Sequence, residues 1–147
     1  MKKDQINKDT PIYTISIVSD LLNVSVHTLR MYEREGLIIT YKKTSGHRLY
    51  SQNDVEKISC IRNAIKEKKV SISAIRMMYS LLPCWKILGC SEEERKQCKA
   101  YNNYDNPCWT VIHYNNICAN KDCRECPVYA KQASCNSIKD VIKDLTK

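Results

Sequence analysis

Residues 24–50 read VSVHTLRMYEREGLIITYKKTSGHRLY, and this stretch decides the fold. Ser25 stands as an N-cap, because its hydroxyl accepts an otherwise unpaired backbone N–H of the first helical turn. Val26 and Leu29 then share one face at i and i+3. His27, Thr28 and Met31 point away from that face, and Arg30, Tyr32 and Arg34 flank it. Gly36 ends the helix, since glycine takes the left-handed cap conformation without steric cost. Residues 37–41 are β-rich, 42–46 read as a turn, and 47–50 return as a second strand. A helix with donors and cations on its outer side, followed by a hairpin tipped with Lys42, Lys43, His47 and Arg48, suits a groove-reading helix with a phosphate-contacting wing.

Upstream, a first helix is expected over residues 16–22, with Ile15, Val18, Leu21 and Leu22 as its buried stripe and Asn23 turning the chain. Downstream, Ser51 to Asp54 fits a capping box that opens a third helix with Val55, Ile58, Ile61 and Ile65 inward. Cys60 lies off that stripe and is read as structural rather than as a ligand. Residues 66–69 form a charged connector. Ser71 caps a fourth helix with Ile72, Ile75, Met78, Tyr79 and Leu82 inward, and Pro83 ends it. Residues 1–12 are polar and are expected to form a mobile arm.

The pieces Tyr13-Thr14-Ile15, Val24-Ser25, Thr28-Leu29-Arg30, Tyr32-Glu33, Gly36-Leu37-Ile38, Arg48-Leu49-Tyr50-Ser51, Asp54-Val55 and Ser71-Ile72-Ser73-Ala74-Ile75 together resemble the MerR family of bacterial transcription regulators, over residues 13–82. The resemblance implies a homodimer that bends or untwists double-stranded promoter DNA when an effector binds, with RNA polymerase as a further partner. By position it implies DNA contacts from Thr28, Arg30 and Tyr32 on the helix and from Arg48 on the wing. With His27, Lys42, Lys43, His47 and Tyr50 these make the expected DNA-binding set. A regulator of this family would continue into a long dimerisation helix. This chain instead has Pro83, Gly89, Pro107 and Pro127, a short helical pattern over 91–100 opened by a Ser91/Glu94 capping box, and a final two-turn helix over 137–145.

Nine cysteines are present, and all but Cys60 lie beyond residue 83. Pro83-Cys84-Trp85 recurs as Pro107-Cys108-Trp109, and Cys98-Lys99-Ala100-Tyr101 as Cys126-Pro127-Val128-Tyr129. The repeat resembles cysteine-rich modules known as two-CW domains. Cys84, Cys98, Cys108 and Cys126 are the repeat-matched ligands; Cys118, Cys123 and Cys126 form a second, compact nucleus; Cys90 lies in the first gap and Cys135 follows the second unit. The Cys123-x2-Cys126 bite serves both zinc and iron–sulfur sites. The expected metal set is therefore Cys84, Cys90, Cys98, Cys108, Cys118, Cys123 and Cys126, holding an iron–sulfur cluster or, alternatively, zinc, with disulfides or free thiols as a third state. His113 is paired with no cysteine in sequence and is not read as a ligand. With no Phe and few branched aliphatics in the tail, a metal would staple a segment short of apolar core.

Residues 1–82 carry 14 Lys/Arg against 8 Asp/Glu, a net +6 of the chain's +8, so the positive charge sits with the expected DNA reader. The first eleven residues carry charge but no apolar segment behind them, and no stretch approaches the roughly 20 apolar residues of a membrane span. A cytoplasmic location without membrane contact is expected. Three glycines cannot build a phosphate loop, and no Ser/His/Asp or paired-carboxylate site stands out, so an enzyme is not expected. The expected fold is mainly α: a winged helix-turn-helix of four helices and a short hairpin over 13–82, a small irregular cysteine-rich module with short helices over 83–135, and a short helix over 136–147. The expected function is a DNA-binding regulator sensing a metal, redox state or thiol-reactive signal through its cysteines. An iron–sulfur electron-transfer or metal-handling protein, using the helix-turn-helix for protein contacts, is the alternative.

Overall fold

The computed structural model describes residues 7–114, 116–130 and 137–147. Part of the expected N-terminal arm and Cys135 lie outside these residues.

The first helix, α1 (Ile15–Leu22), is capped by the Thr14 side chain, which accepts from the Ile17 amide at 3.3 Å. Asn23 leaves it with φ of 49°, a left-handed conformation that asparagine tolerates. The chain then enters α2 (Val26–Arg34) through Ser25, whose hydroxyl accepts from the Thr28 amide at 3.0 Å. Gly36 follows with φ of +76°. Helix α3 (Gln52–Lys66) opens on the Ser51/Asp54 capping box, and α4 (Ile72–Ser80) opens on Ser71 and ends just before Pro83. All four helices of the expected winged domain are thus present, and the caps of α2, α3 and α4 are those read from sequence.

Two strands form the wing, β2 (Tyr41–Lys42) and β3 (Arg48–Tyr50). A strand not anticipated from sequence, β1 (Tyr13–Thr14), pairs with the other side of β3, giving an antiparallel order β1-β3-β2 with Tyr13 opposite Tyr50 and Tyr41 opposite Leu49. The hairpin base is therefore held from both sides. Residues 37 and 38, expected as strand, instead fill the core, where Leu37 and Ile38 join Val18, Leu29, Tyr32, Tyr50, Ile58, Ile61 and Ile75. Burying that many branched and aromatic side chains is the main favourable contribution to this half of the chain.

Three sequence expectations change. Leu21 and Met78, expected to face inward, are exposed, because α1 and α4 bury narrower stripes centred on Val18 and Ile75. The described end of the N-terminal arm is tied down: the Asn53 amide donates to Lys8 O at 3.1 Å, Asn53 Nδ2 to Asp9 Oδ1, and the Ile12 amide to Tyr50 O at 3.0 Å.

Beyond Pro83 come α5 (Cys84–Leu88), not foreseen from sequence, α6 (Glu92–Gln97) with the expected Ser91/Glu94 capping box, and two 3₁₀ turns at Cys108–Thr110 and Cys123–Glu125. The chain continues in α7 (Pro127–Ala130) and α8 (Ser137–Leu145), which buries Val141. The tail packs onto the winged domain. Trp109 and Tyr129 meet edge to face with centroids 5.2 Å apart, Trp109 lies 5.6 Å from Tyr79 of α4, and Val128 and Tyr129 are buried. Among the described residues no helix is long and apolar enough to cross a membrane.

Candidate nucleic-acid interface and thiol cluster

His27, Arg30 and Arg34 lie at i, i+3 and i+7 on α2, are all exposed, and so form one outward stripe. Lys42, Lys43 and His47 are exposed on the adjoining wing. Thr28 is half-buried and its hydroxyl is hydrogen-bonded to Ser25 Oγ at 2.9 Å, so it serves the helix start. Tyr32 and Tyr50, both read from sequence as DNA contacts, are 3 % and 0 % exposed. They are core residues supporting the surface rather than forming it. Burial pushes the Tyr50 hydroxyl up to about 12, so it stays protonated.

Glu33, which the sequence reading passed over, organises this face. Its carboxylate accepts from Arg48 Nε, from the Thr40 hydroxyl at 3.0 Å, and pairs with Lys42 Nζ at 3.2 Å. Burial alone raises the Glu33 carboxyl, but the hydrogen bonds from Arg48, Thr40 and Lys42 outweigh it and hold the group below the ordinary glutamate value. Glu33 thereby ties both wing strands to the recognition helix. Arg48, expected as a phosphate contact, spends its Nε on this internal pair. The three-residue advance from Arg30 to Glu33 was the available signal, because it sets an acid beside the basic stripe.

A second cluster lies in the tail. Cys84, Cys90, Cys98, Cys108 and Cys118 ring one small cavity of about 20 Å³, with Trp85, Tyr101 and His113. Cys123 and Cys126 lie outside its lining, close enough for their sulfurs to act electrostatically on Cys108. All seven carry free thiols, whereas Cys60, half-buried on α3, is disulfide-bonded. Cys84 and Cys108, the matched cysteines of the two Pro-Cys-Trp units, hydrogen-bond through their sulfurs, which brings Cys84 down to about 7 and pushes Cys108 up. Burial and the surrounding thiols push Cys118 up to about 12.

His113 lines this cavity beside Cys98, a pairing that the sequence does not reveal. Its Nε2 lies 2.9 Å from the Cys108 carbonyl oxygen. A carbonyl only accepts, so Nε2 carries a proton. Nδ1 stands 3.9 Å from Cys98 Sγ and 3.5 Å from the Asn116 amide nitrogen. A histidine fifteen residues from its thiol leaves no local spacing to read.

The donor set is soft and thiol-rich, as thiophilic metals and iron–sulfur clusters require. Among the described residues no three His, Cys, Asp or Glu side chains converge as a single metal ion needs.

Between cluster and winged domain lies an ionic and aromatic contact that the sequence did not reveal. Lys57 of α3 is 2 % exposed, and its ammonium faces the rings of Tyr129, Trp109 and Tyr79 at 3.7, 4.8 and 5.1 Å. Its Nζ has no hydrogen-bond partner among the described residues, and burial pushes the ammonium down to about 7. One turn earlier, Asp54 accepts two bonds from Arg124, at 3.1 and 2.6 Å. Asp54, Lys57, Ile58 and Ile61 follow helical spacing, so a buried lysine on that stripe was in principle legible.

Residues 13–82 match the model for the MerR HTH family regulatory protein. The chain is also similar to several curated proteins. It is 27% identical to HspR of Streptomyces coelicolor over 77 residues, 52% of this chain and 51% of that protein. It is 39% identical to the HTH-type transcriptional regulator TnrA of Bacillus subtilis over 61 residues, 42% of this chain and 56% of that one. It is 33% identical to the HTH-type transcriptional regulator GlnR of Bacillus anthracis over 67 residues, 46% and 50% respectively. The chain spans about half the length of the curated relatives it matches.

Proposed function

We propose, on the premise that residues 13–82 are a MerR-family helix-turn-helix domain, that this protein is a DNA-binding transcription regulator whose cysteine-rich tail is its sensor. The observation that carries the reading is the exposed stripe His27, Arg30 and Arg34 beside the exposed wing residues Lys42, Lys43 and His47. Arg30 and His27 have the donors to read base edges in a major groove, and the wing cations lie where phosphates pass. As in the family resemblance, the working form is a homodimer on promoter DNA, acting on transcription by RNA polymerase through distortion of that DNA.

The cofactor reading that the thiols support is an iron–sulfur cluster, held from among Cys84, Cys90, Cys98, Cys108 and Cys118, with Cys123 and Cys126 as the remaining thiols and zinc as the alternative. Such a cluster would supply a redox- or oxygen-sensitive group. Trp85 and Tyr101, stacked edge to face at 5.1 Å, would keep water from it, and His113 stands ready as a further donor. The electron-transfer or metal-handling alternative gives the helix-turn-helix to protein contacts, a role that does not call for the cationic stripe.

Binding of the anaerobically purified chain to its own upstream DNA and to random duplex, by fluorescence anisotropy at several salt concentrations, tests the reading. The expected result is a preference for the upstream DNA and an affinity that falls steeply with salt. Equal affinity for both duplexes with a flat salt response would sink it. Arg30→Ala is expected to cost about 1–3 kcal/mol of binding to the preferred site, and His27→Ala to change base preference. A visible spectrum with iron and sulfide analysis on the same sample tests the cofactor, with a colourless zinc-loaded protein supporting the alternative.

A further inference from the structure

Three tail side chains converge on one short piece of backbone. Trp109 Nε1 donates to the Gly36 carbonyl oxygen at 2.8 Å. Tyr129 Oη accepts from the Ile39 amide at 2.8 Å and donates back to the Ile39 carbonyl oxygen at 3.3 Å. Arg124 Nη1 donates to that same oxygen at 2.7 Å. The methyl of Thr110 stands against Gly36, so that a Cβ there would lie 2.4 Å from it. Residues 36–40 are the connection between the recognition helix α2 and the first wing strand β2.

Each gripping residue is a near neighbour of a thiol. Trp109 and Thr110 follow Cys108, Arg124 follows Cys123 in the same 3₁₀ turn, and Tyr129 sits three residues beyond Cys126 on α7. Cys108 reaches in turn to Cys84 across the cavity. A change in the geometry of these sulfurs therefore acts on backbone within one to three residues of each gripping side chain.

The contact also encloses a charge. At its centre Lys57 presents a buried ammonium to three ring faces without a hydrogen-bond acceptor among the described residues. Attraction to the rings favours the charge, while loss of water opposes it, so Lys57 itself adds little to holding the contact closed.

We propose that Trp109, Arg124 and Tyr129 form a latch through which the state of the thiols sets the angle between recognition helix and wing within a single protomer. This rests on the reading of the tail as sensor and the winged domain as output. It differs from a change in spacing between two protomers, since the moving part is the 36–40 connector.

Amide hydrogen exchange on the full chain, handled anaerobically without reductant so that the Cys60 disulfide stays closed, tests the latch without any DNA. Tyr129→Phe, which removes the hydroxyl but keeps the ring beside Lys57, is expected to raise exchange at the Ile39 amide at least tenfold and to leave the Ile58 and Ile61 amides of α3 unchanged. Wild-type protein treated with N-ethylmaleimide is expected to show the same local rise across 36–40. The latch is overturned if mass spectrometry finds the thiols alkylated while exchange at 36–40 stays within twofold of the untreated protein. An equal rise in α3 would overturn it too, as general unfolding. Should Tyr129→Phe not fold, Trp85→Phe leaves Trp109 as the sole indole. Its emission is expected to shift to longer wavelength on maleimide treatment, and an unmoved emission counts against the latch. DNA affinity measured on the same samples separates the two ideas. An exchange response without DNA binding sinks the regulator and spares the latch, and DNA binding without an exchange response does the reverse.

Discussion

Lys57 shows how one side chain joins two halves of a chain. It occupies a core position of α3 yet ends in an amine, and the tail supplies the three aromatic faces that cover it. The sign of its pH effect follows from the pKa. Unfolded, the amine titrates near its ordinary 10.5; folded, burial brings it down to about 7. Between those values the unfolded chain binds more protons, so the contribution of Lys57 to stability improves as pH rises from about 7 towards 10.5. Lys57→Met keeps the stem and removes the charge. The variant is expected to be at least as stable as wild type at pH 7, and the wild-type deficit of up to a few kcal/mol is expected to shrink by pH 9.5. Denaturant melts of both proteins at the two pH values, with thiols kept reduced, check this; a difference that grows with pH would contradict it.

The recognition helix and its wing form one element pair, joined by Glu33. Glu33→Gln keeps a hydrogen-bond acceptor but discards the charge that gathers Arg48 and Lys42. The expected outcome is retained or stronger binding to random duplex, because two cations are released to phosphate, with discrimination between sites reduced about tenfold; competition anisotropy with specific and random DNA reads both. Gly36 marks the other end of the pair. Gly36→Ala meets a positive φ, worth about 1 kcal/mol, and the Thr110 methyl, worth about 1–3 more. Adding Thr110→Ser, which keeps the hydroxyl bond to Pro107 O, is expected to restore only the steric part in a thermal melt. These elements were legible where the signal is local. Ser25, Ser51, Ser71 and Ser91 announced four helix starts, and Gly36 announced a helix end. Strand β1 escaped because two residues carry no alternation.

At the scale of the whole molecule the chain reads well only as far as Pro83. Periodicity reports which face of an element is buried, and the tail docks through single side chains far away in sequence: Trp109 reaches Gly36 across 73 positions and Arg124 reaches Asp54 across 70. Nothing local marks such pairs, and His113 was set aside for the same reason. Arg124→Gln should therefore act at a distance. Breaking the Arg124–Asp54 pair leaves a buried carboxylate short of its partner, so a loss of about 3–5 kcal/mol in the melt of the winged domain is expected, although the substitution lies in the tail. Tail and winged domain melting in separate steps in the wild type would contradict this. The two Pro-Cys-Trp units share this architecture unequally. Trp85 rests on Tyr101 inside the tail, whereas Trp109 rests on Tyr79 and reaches Gly36 in the winged domain. One cysteine–tryptophan unit thus feels the shared thiol pocket with no lever attached, and the other feels it with one. The molecule carries its own internal reference: whatever both indoles report belongs to the pocket, and whatever Trp109 alone reports has been passed on.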